Sequence, residues 1–211
     1  MPCTFFIRML KDPRTTGALV PSSARLAREL AHLAKDAEHV LELGAGTGAV
    51  TQALSQVVDV EKLQVVELQK NLAASLTEKY PNLLVLQSAA HHALDNYPQH
   101  GSVAIVSSLP FRSLPPAIKT LTINSLLVFL NASPGSLLIQ YTYGLGAPFA
   151  VPADFKWQQI KWIFANFPPA CIWVLSKTAD RPIVGPAPSL QRSSVTRLRA
   201  PTEADDLKKL M

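Results

Sequence analysis

The sequence predicts an α/β domain with a mainly parallel sheet flanked by helices. Three observations carry this expectation. Short apolar runs recur along the chain, and most are followed by a stretch with helical spacing. A glycine-rich segment, ELGAGTGAV, lies between the first run and the next helix. An acid, Glu67, ends the second run. Strands that alternate with helices pack as layers. In such sheets ligands bind at the carboxyl ends of the strands.

The elements follow in order. CTFFIRMLK sets Phe5, Phe6, Met9 and Leu10 at helical spacing with Arg8 and Lys11 beside them, and Pro13 stops or bends that helix. TTGALVPSS reads as a loop, and Ser22 or Ser23 is suited to cap the helix striped by Leu26, Leu30 and Leu33. HVLEL (39–43) is strand one, and a helix over 49–56 follows the glycines. LQVVEL (63–68), LLVLQ (83–87) and SVAIVS (102–107) are the next strands, with NLAASLTEKY (71–80) as a helix between the first two. His91 and His92 read as polar residues opening a short helix. PAIKTLTINSLLVFL (116–130) is a helix with Pro116 in its first turn. SLLIQYTY (136–143) is strand five, and IKWIFAN (160–166) with ACIWVLS (170–176) form a closing pair. After residue 177 the chain becomes polar and proline-rich, as a mobile tail would.

Composition narrows the class. The 211 residues are 48% hydrophobic and 17% charged, which excludes a disordered chain and suffices for one sizeable core. Cys3 and Cys171 lack CxxC spacing, so neither a disulfide framework nor a zinc site is expected, and no metal is. No run reaches the ~18 apolar residues of a membrane span, and the N-terminal apolar run is too short for a signal peptide. The net charge is +5, and residues 1–28 hold five of the basic side chains against Asp12 alone. A basic arm of this kind suits nucleic acid or an anionic membrane surface.

Glu42, Gly44, Gly46 and Gly48 make an E-x-G-x-G-x-G pattern between strand one and its helix. Glycines let the backbone turn tightly and approach a ligand closely. An acid at the end of strand two can accept both hydroxyls of a ribose. The spacing is GxGxG rather than GxGxxG, and no Gly-Lys-Ser/Thr is present, which disfavours a dinucleotide or a P-loop nucleotide. The pattern resembles motif I of class I S-adenosylmethionine-dependent methyltransferases. That resemblance implies a Rossmann-like, seven-stranded fold and S-adenosylmethionine as cofactor. It assigns Glu42, Gly44, Gly46, Gly48, Glu67, Leu68, Ser88, Ala89 and Ser107 to cofactor binding. Ser88 stands where the class usually has an acid.

Four further segments resemble bacterial phospholipid N-methyltransferases: LKDPRTTGALVPSSARLARELA (10–31), SSLPFRSLP after strand four, QYTYG (140–144) and NFPPA (166–170). The resemblance covers roughly residues 5–176, with Ser108 in place of Gly and Tyr141 in place of Phe. It implies stepwise methylation of phosphatidylethanolamine toward phosphatidylcholine by a cytoplasmic enzyme held peripherally on the inner membrane. Residues 1–36 then form a membrane or lid segment, and 37–177 the cofactor-binding domain. Phe5, Phe6, Arg8, Met9, Lys11 and Arg14 would lie in the interface. Backbone carbonyls of Ser107, Ser108 and Leu109 would orient the amine, and Tyr143, Tyr141 and Phe111 would face the methylated cation. No nucleic acid partner is expected on this reading. The rival is RNA adenine dimethylation, whose enzymes use Asn-Leu-Pro-Tyr after strand four, where this chain has Ser108-Leu109-Pro110-Phe111. A soluble amine substrate, or a surface-binding protein without catalysis, completes the alternatives.

Overall fold

The computed structural model describes residues 21–98, 101–164 and 168–179. Helix α1 (Pro21–Ala34) precedes β1 (His39–Leu43). After β1 come α2 (Ala49–Leu54), a short 3-10 turn, β2 (Leu63–Glu67), α3 (Lys70–Lys79) and β3 (Leu84–Gln87). The second half holds α4 (Ala90–Asp95), β4 (Val103–Ser107), α5 (Pro116–Ala132), β5 (Leu137–Tyr143), β6 (Phe155–Ile163) and β7 (Ala170–Lys177).

The strands form one seven-stranded sheet in the order β3-β2-β1-β4-β5-β7-β6. The first five in that order run parallel, while β7 enters antiparallel between β5 and β6. Both faces are covered. One face packs against α1, α2 and α3 through Leu26, Leu30, Leu54 and Leu76. The other packs against α4 and α5 through Leu94, Leu126, Phe129 and Leu130. Central strands buried on both sides must be apolar throughout, which is why β1 and β4 read as near-continuous hydrophobic runs.

Three expectations need correction. The helix starts at Pro21, before Ser22 and Ser23 could cap it, and a proline suits the first turn because it has no N–H to satisfy. The described part of segment 1–36 is not a separate layer: Leu26, Ala27, Leu30, Ala31 and Ala34 of α1 belong to the core. Strand β6 begins at Phe155 rather than 160, because an irregularity between Gln159 and Lys161 breaks its alternation. Thr178 remains tied to the domain through Asp154 and Ala153 carbonyls at 2.7 and 3.2 Å.

Ile105 lies at the centre of the sheet and is fully buried. Ile105→Ala is expected to cost about 2–5 kcal/mol, read as a lower urea midpoint with an unchanged slope.

Candidate functional site

The order of strands reverses between β1 and β4, and the loops that follow them meet there. Such a crevice is where ligands sit in open α/β sheets. Ser108 N–H donates to the Leu43 carbonyl at 3.0 Å, which joins the two loops directly.

The glycine turn has three positive-φ residues, Gly44, Gly46 and Gly48. A side chain at Gly44 would strike Leu109 at 2.8 Å, so this glycine lets the β4 loop close against the turn. A Cβ at Gly46 would meet nothing within 4 Å, which leaves open space beside the backbone. Glu67 fixes the turn from β2. Its carboxylate accepts from Gly46 N–H at 2.7 Å and from Gln69 N–H at 2.8 Å. A buried acid, an open glycine cradle and an exposed Leu68 beside it fit the adenosine and amino-acid parts expected of the cofactor.

Glu42 is 0% exposed, and neither carboxylate oxygen has a hydrogen-bond partner. Burial pushes its carboxyl up to about 7, the Thr51 hydroxyl and backbone oppose that rise, and the nearby Glu67 adds to it. Thr51 lies close enough to act on the charge, yet its own hydroxyl makes no aligned hydrogen bond. A buried acid without well-aligned donors holds its proton to higher pH than an exposed one.

The opposite wall is built by β5. Tyr141 and Tyr143 pack edge to face with ring centroids 5.6 Å apart, on one side of the strand as alternation requires. The Tyr141 hydroxyl is pushed up chiefly by burial, while hydrogen bonding with Ser108 and Tyr143 opposes the shift. The field of Glu42 also raises it, which places this tyrosine beside the acid of β1. Ser108, Tyr141, Tyr143 and Glu42 are thus brought together from three strands.

Other expected residues have side chains or carbonyls already engaged within the fold. Phe111 is 2% exposed and packs on Phe149 with ring centroids 4.8 Å apart, so its face belongs to the core and not to a substrate. The Leu109 carbonyl already accepts from Phe111 N–H at 3.0 Å and from Gln140 Nε2 at 3.1 Å. Two donors fill its two lone pairs, so it has none for an amine. Ser107 is buried, and its hydroxyl accepts from Leu109 N–H at 3.2 Å, a structural task within the loop. The Ser88 hydroxyl donates to the Ala89 carbonyl at 3.2 Å, at the start of α4. His91 and His92 stack edge to face within α4, and no cluster of three His, Cys, Asp or Glu able to hold a metal exists among the described residues. Phe5, Phe6, Arg8, Met9, Lys11 and Arg14 lie outside the described residues, as do Asn166 and Phe167 of NFPPA.

Two residues of the site carried no role in the sequence reading. Gln140 is buried on β5 and its Nε2 donates to the Leu109 and Tyr141 carbonyls at 3.1 and 2.9 Å. It clamps the Leu-Pro loop to the sheet, and its Oε1 is buried with no partner. Arg112 donates to the carbonyls of Leu145 and Gly146, both at 2.9 Å, and so ties the loop after β4 to the loop after β5. A polar residue inside an apolar strand was the available signal for Gln140; Arg112 offered none.

The titration of Glu42 has a thermodynamic consequence. Its carboxyl titrates near 7 in the folded chain against 4.5 as the ordinary value, so folding retains a proton the unfolded chain releases. The stability from the protonated form is full below about pH 4.5 and is lost as pH rises through about 7. The loss amounts to about 3 kcal/mol. Glu42→Gln cannot ionise, so its urea midpoint is expected to gain on the natural protein's between pH 4.5 and 7 and to hold that gain above it.

No family model and no curated protein matches the chain. Solved structures do. The 23S rRNA methyltransferase ErmE matches at 20% identity over 76% of this chain and 70% of its own, with a TM-score of 0.51. The yhhF protein of Escherichia coli, described as a methyltransferase, matches at 19% identity over 77% of this chain and 88% of its own, with a TM-score of 0.54. SMU.1697c of Streptococcus mutans, solved in complex with SAH, matches at 14% identity over 72% of this chain and 96% of its own, with a TM-score of 0.50. The chain has the Rossmann-like fold of class I methyltransferases.

Proposed function

We propose that this protein transfers a methyl group from S-adenosylmethionine to an amine nitrogen, and that the amine is the headgroup of phosphatidylethanolamine and its methylated intermediates, toward phosphatidylcholine. The observation that carries this reading is the wall opposite the glycine turn. It offers the hydroxyls of Ser108 and Tyr141 and the paired rings of Tyr141 and Tyr143, beside an acid that lacks a partner. Gly44, Gly46 and Gly48 give the cofactor close backbone approach, and Glu67 accepts from its ribose hydroxyls. Glu42, Leu68, Ser88 and Ala89 complete its surroundings. When bound, the cofactor supplies an electrophilic methyl group on a sulfonium.

The chain's own residues select and orient the nucleophile. An alkyl ammonium titrates near ~10, so it sheds a proton to water before its lone pair can attack, and each methylated ammonium sheds another before the next transfer. Ser108 and Tyr141 accept N–H bonds from the neutral amine and leave that lone pair free to face the cofactor. Each added methyl removes one N–H donor, and the aromatic faces take over the growing cation. Positioning supplies most of the rate. The segments similar to phospholipid N-methyltransferases support the lipid substrate.

A second reading has its own support. ErmE is named as an rRNA methyltransferase, and a Plasmodium falciparum protein that matches at 14% identity and a TM-score of 0.50, over 72% of this chain and 61% of its own, as a dimethyladenosine transferase. These neighbours favour RNA adenine over lipid. Against it, the chain has Ser108 before Leu109-Pro110, and Phe111 turns its ring into the core, leaving no face there for a base.

Incubation with labelled S-adenosylmethionine and phosphatidylethanolamine liposomes, in parallel with adenine-containing RNA and soluble amines, separates these readings. Methylated lipid is expected; label in RNA or soluble amine alone would replace the lipid reading. Glu67→Ala is expected to weaken cofactor binding at least tenfold by calorimetry, and unchanged affinity would remove Glu67 from the cofactor site.

A further inference from the structure

The exposed carboxylates of the described residues are confined to one edge of the sheet. Strand β6 runs parallel to β5, because β7 pairs antiparallel with both. Its C-terminal end therefore lies at the carboxyl edge, the edge of the glycine turn. The register sets Tyr143 opposite Ala170, and Ala170 opposite Ile163, so the ends of β5 and β6 are level. They are two strand spacings apart, roughly 10 Å.

Just past these ends stand two apolar side chains that nothing covers among the described residues. Leu145 is 85% exposed and Phe164 is 77% exposed, the two highest values among the exposed large hydrophobics. Trp162 stacks on Phe164 with ring centroids 6.1 Å apart. Exposed apolar groups at this density mark an interaction site rather than ordinary surface.

The charges around them have one sign. Exposed carboxylates of the described loops and helix ends lie at the opposite, amino edge. Asp36 and Glu38 precede β1, Asp59 and Glu61 precede β2, Asp154 precedes β6, and Glu78 and Asp95 close α3 and α4. At the carboxyl edge the strand acids Glu42 and Glu67 are buried. Glu29 of α1 is largely covered and neutralised by Lys161 at 2.7 Å. The exposed charges there are cationic, among them Arg25 near the start of α1, Lys70 at the start of α3 and Arg112 in the loop after β4. Arg112 also holds the loop that carries Leu145.

We infer that the carboxyl edge, through Leu145, Trp162 and Phe164 with Arg112 beside Leu145, seats directly on an anionic lipid bilayer. Leucine and phenylalanine enter the acyl boundary and tryptophan prefers the interface. Cations without nearby carboxylates meet anionic headgroups. Single-stranded RNA would match the cations and stack bases on Trp162 and Phe164, but would leave Leu145, the most exposed of the apolar side chains, unpaired. This surface is built by the folded domain, so it acts in addition to the basic N-terminal segment. The seat brings the glycine turn and the tyrosine wall to the plane of the headgroups.

The inference rests on the lipid reading of the site but is measured without methyl transfer, so the two can fail separately. The full-length chain is sedimented with vesicles of phosphatidylethanolamine and phosphatidylglycerol in equal parts. Leu145→Asp with Phe164→Asp is expected to lower partitioning at least tenfold while cofactor affinity stays unchanged. Brominated lipids are expected to quench tryptophan emission of the natural protein and much less that of Trp162→Phe. Unchanged partitioning of the double variant overturns the seat, as does equal quenching in Trp162→Phe. A double variant that keeps vesicle binding but loses RNA in a gel shift assigns the edge to RNA instead.

Discussion

The site depends on one carboxylate. Glu67 reaches from the end of β2 to take two backbone N–H groups, one from Gly46 in the turn after β1 and one from Gln69 at the entrance of α3. A loop of positive-φ glycines has little side-chain packing to hold it and pays a large entropy to be ordered. Charge-assisted bonds to a buried acid supply the order that side chains cannot. Once the turn is fixed, Gly44 can accept Leu109 against its bare Cα, and the loop after β4 acquires its place. Gln140 then locks that loop from β5. The site is therefore built in sequence from β2 across to β5, each strand restraining its neighbour's loop.

Among the buried polar groups without partners, which also include the Thr51 and Tyr80 hydroxyls and His91 Nδ1, two bear on the site. Glu42 and the Gln140 carbonyl are buried beside the crevice and lack partners. In an ordinary core such groups would be a pure cost. Here both flank the place where a charged and donor-rich pair of molecules would meet. On the proposed function, binding rather than folding would satisfy them. The Tyr141 phenol is pushed up chiefly by burial, and the neighbouring Glu42 adds to that rise.

Much of this arrangement was legible in the residues. The bounds of β1 follow from HVLEL alone, because a strand buried on both faces admits few polar residues and glycine ends it abruptly. The spacing of motif and acid put Glu67 beside the glycine turn, though as a ribose acceptor; its bonds to Gly46 and Gln69 N–H needed coordinates. Other features needed coordinates. The start of β6 was hidden because polar residues alternate along an edge strand and a bulge shifts the phase. Phe111 could face either way after Leu109-Pro110, and its choice was made by Phe149, far along the chain. The roles of Ser107 and Leu109 depended on which donors arrived first, and those came from Gln140 and from the loop's own backbone. Sequence motifs located the site well; they could not tell which of its atoms were already spent.

The placement of β7 bears on how the chain is made. Strand β6 leaves the ribosome before β7, yet its partner in the sheet is β7 alone. Until residues 170–177 emerge, β5 presents an open edge and β6 has no partner at all. An unpaired apolar edge is the state most prone to wrong association during synthesis. The polar alternation of β6, with Lys156, Gln158, Gln159 and Lys161, lets it wait in water without attracting other chains. Arrival of β7 then closes both gaps in one step, so the last strand among the described residues decides when this sheet is complete.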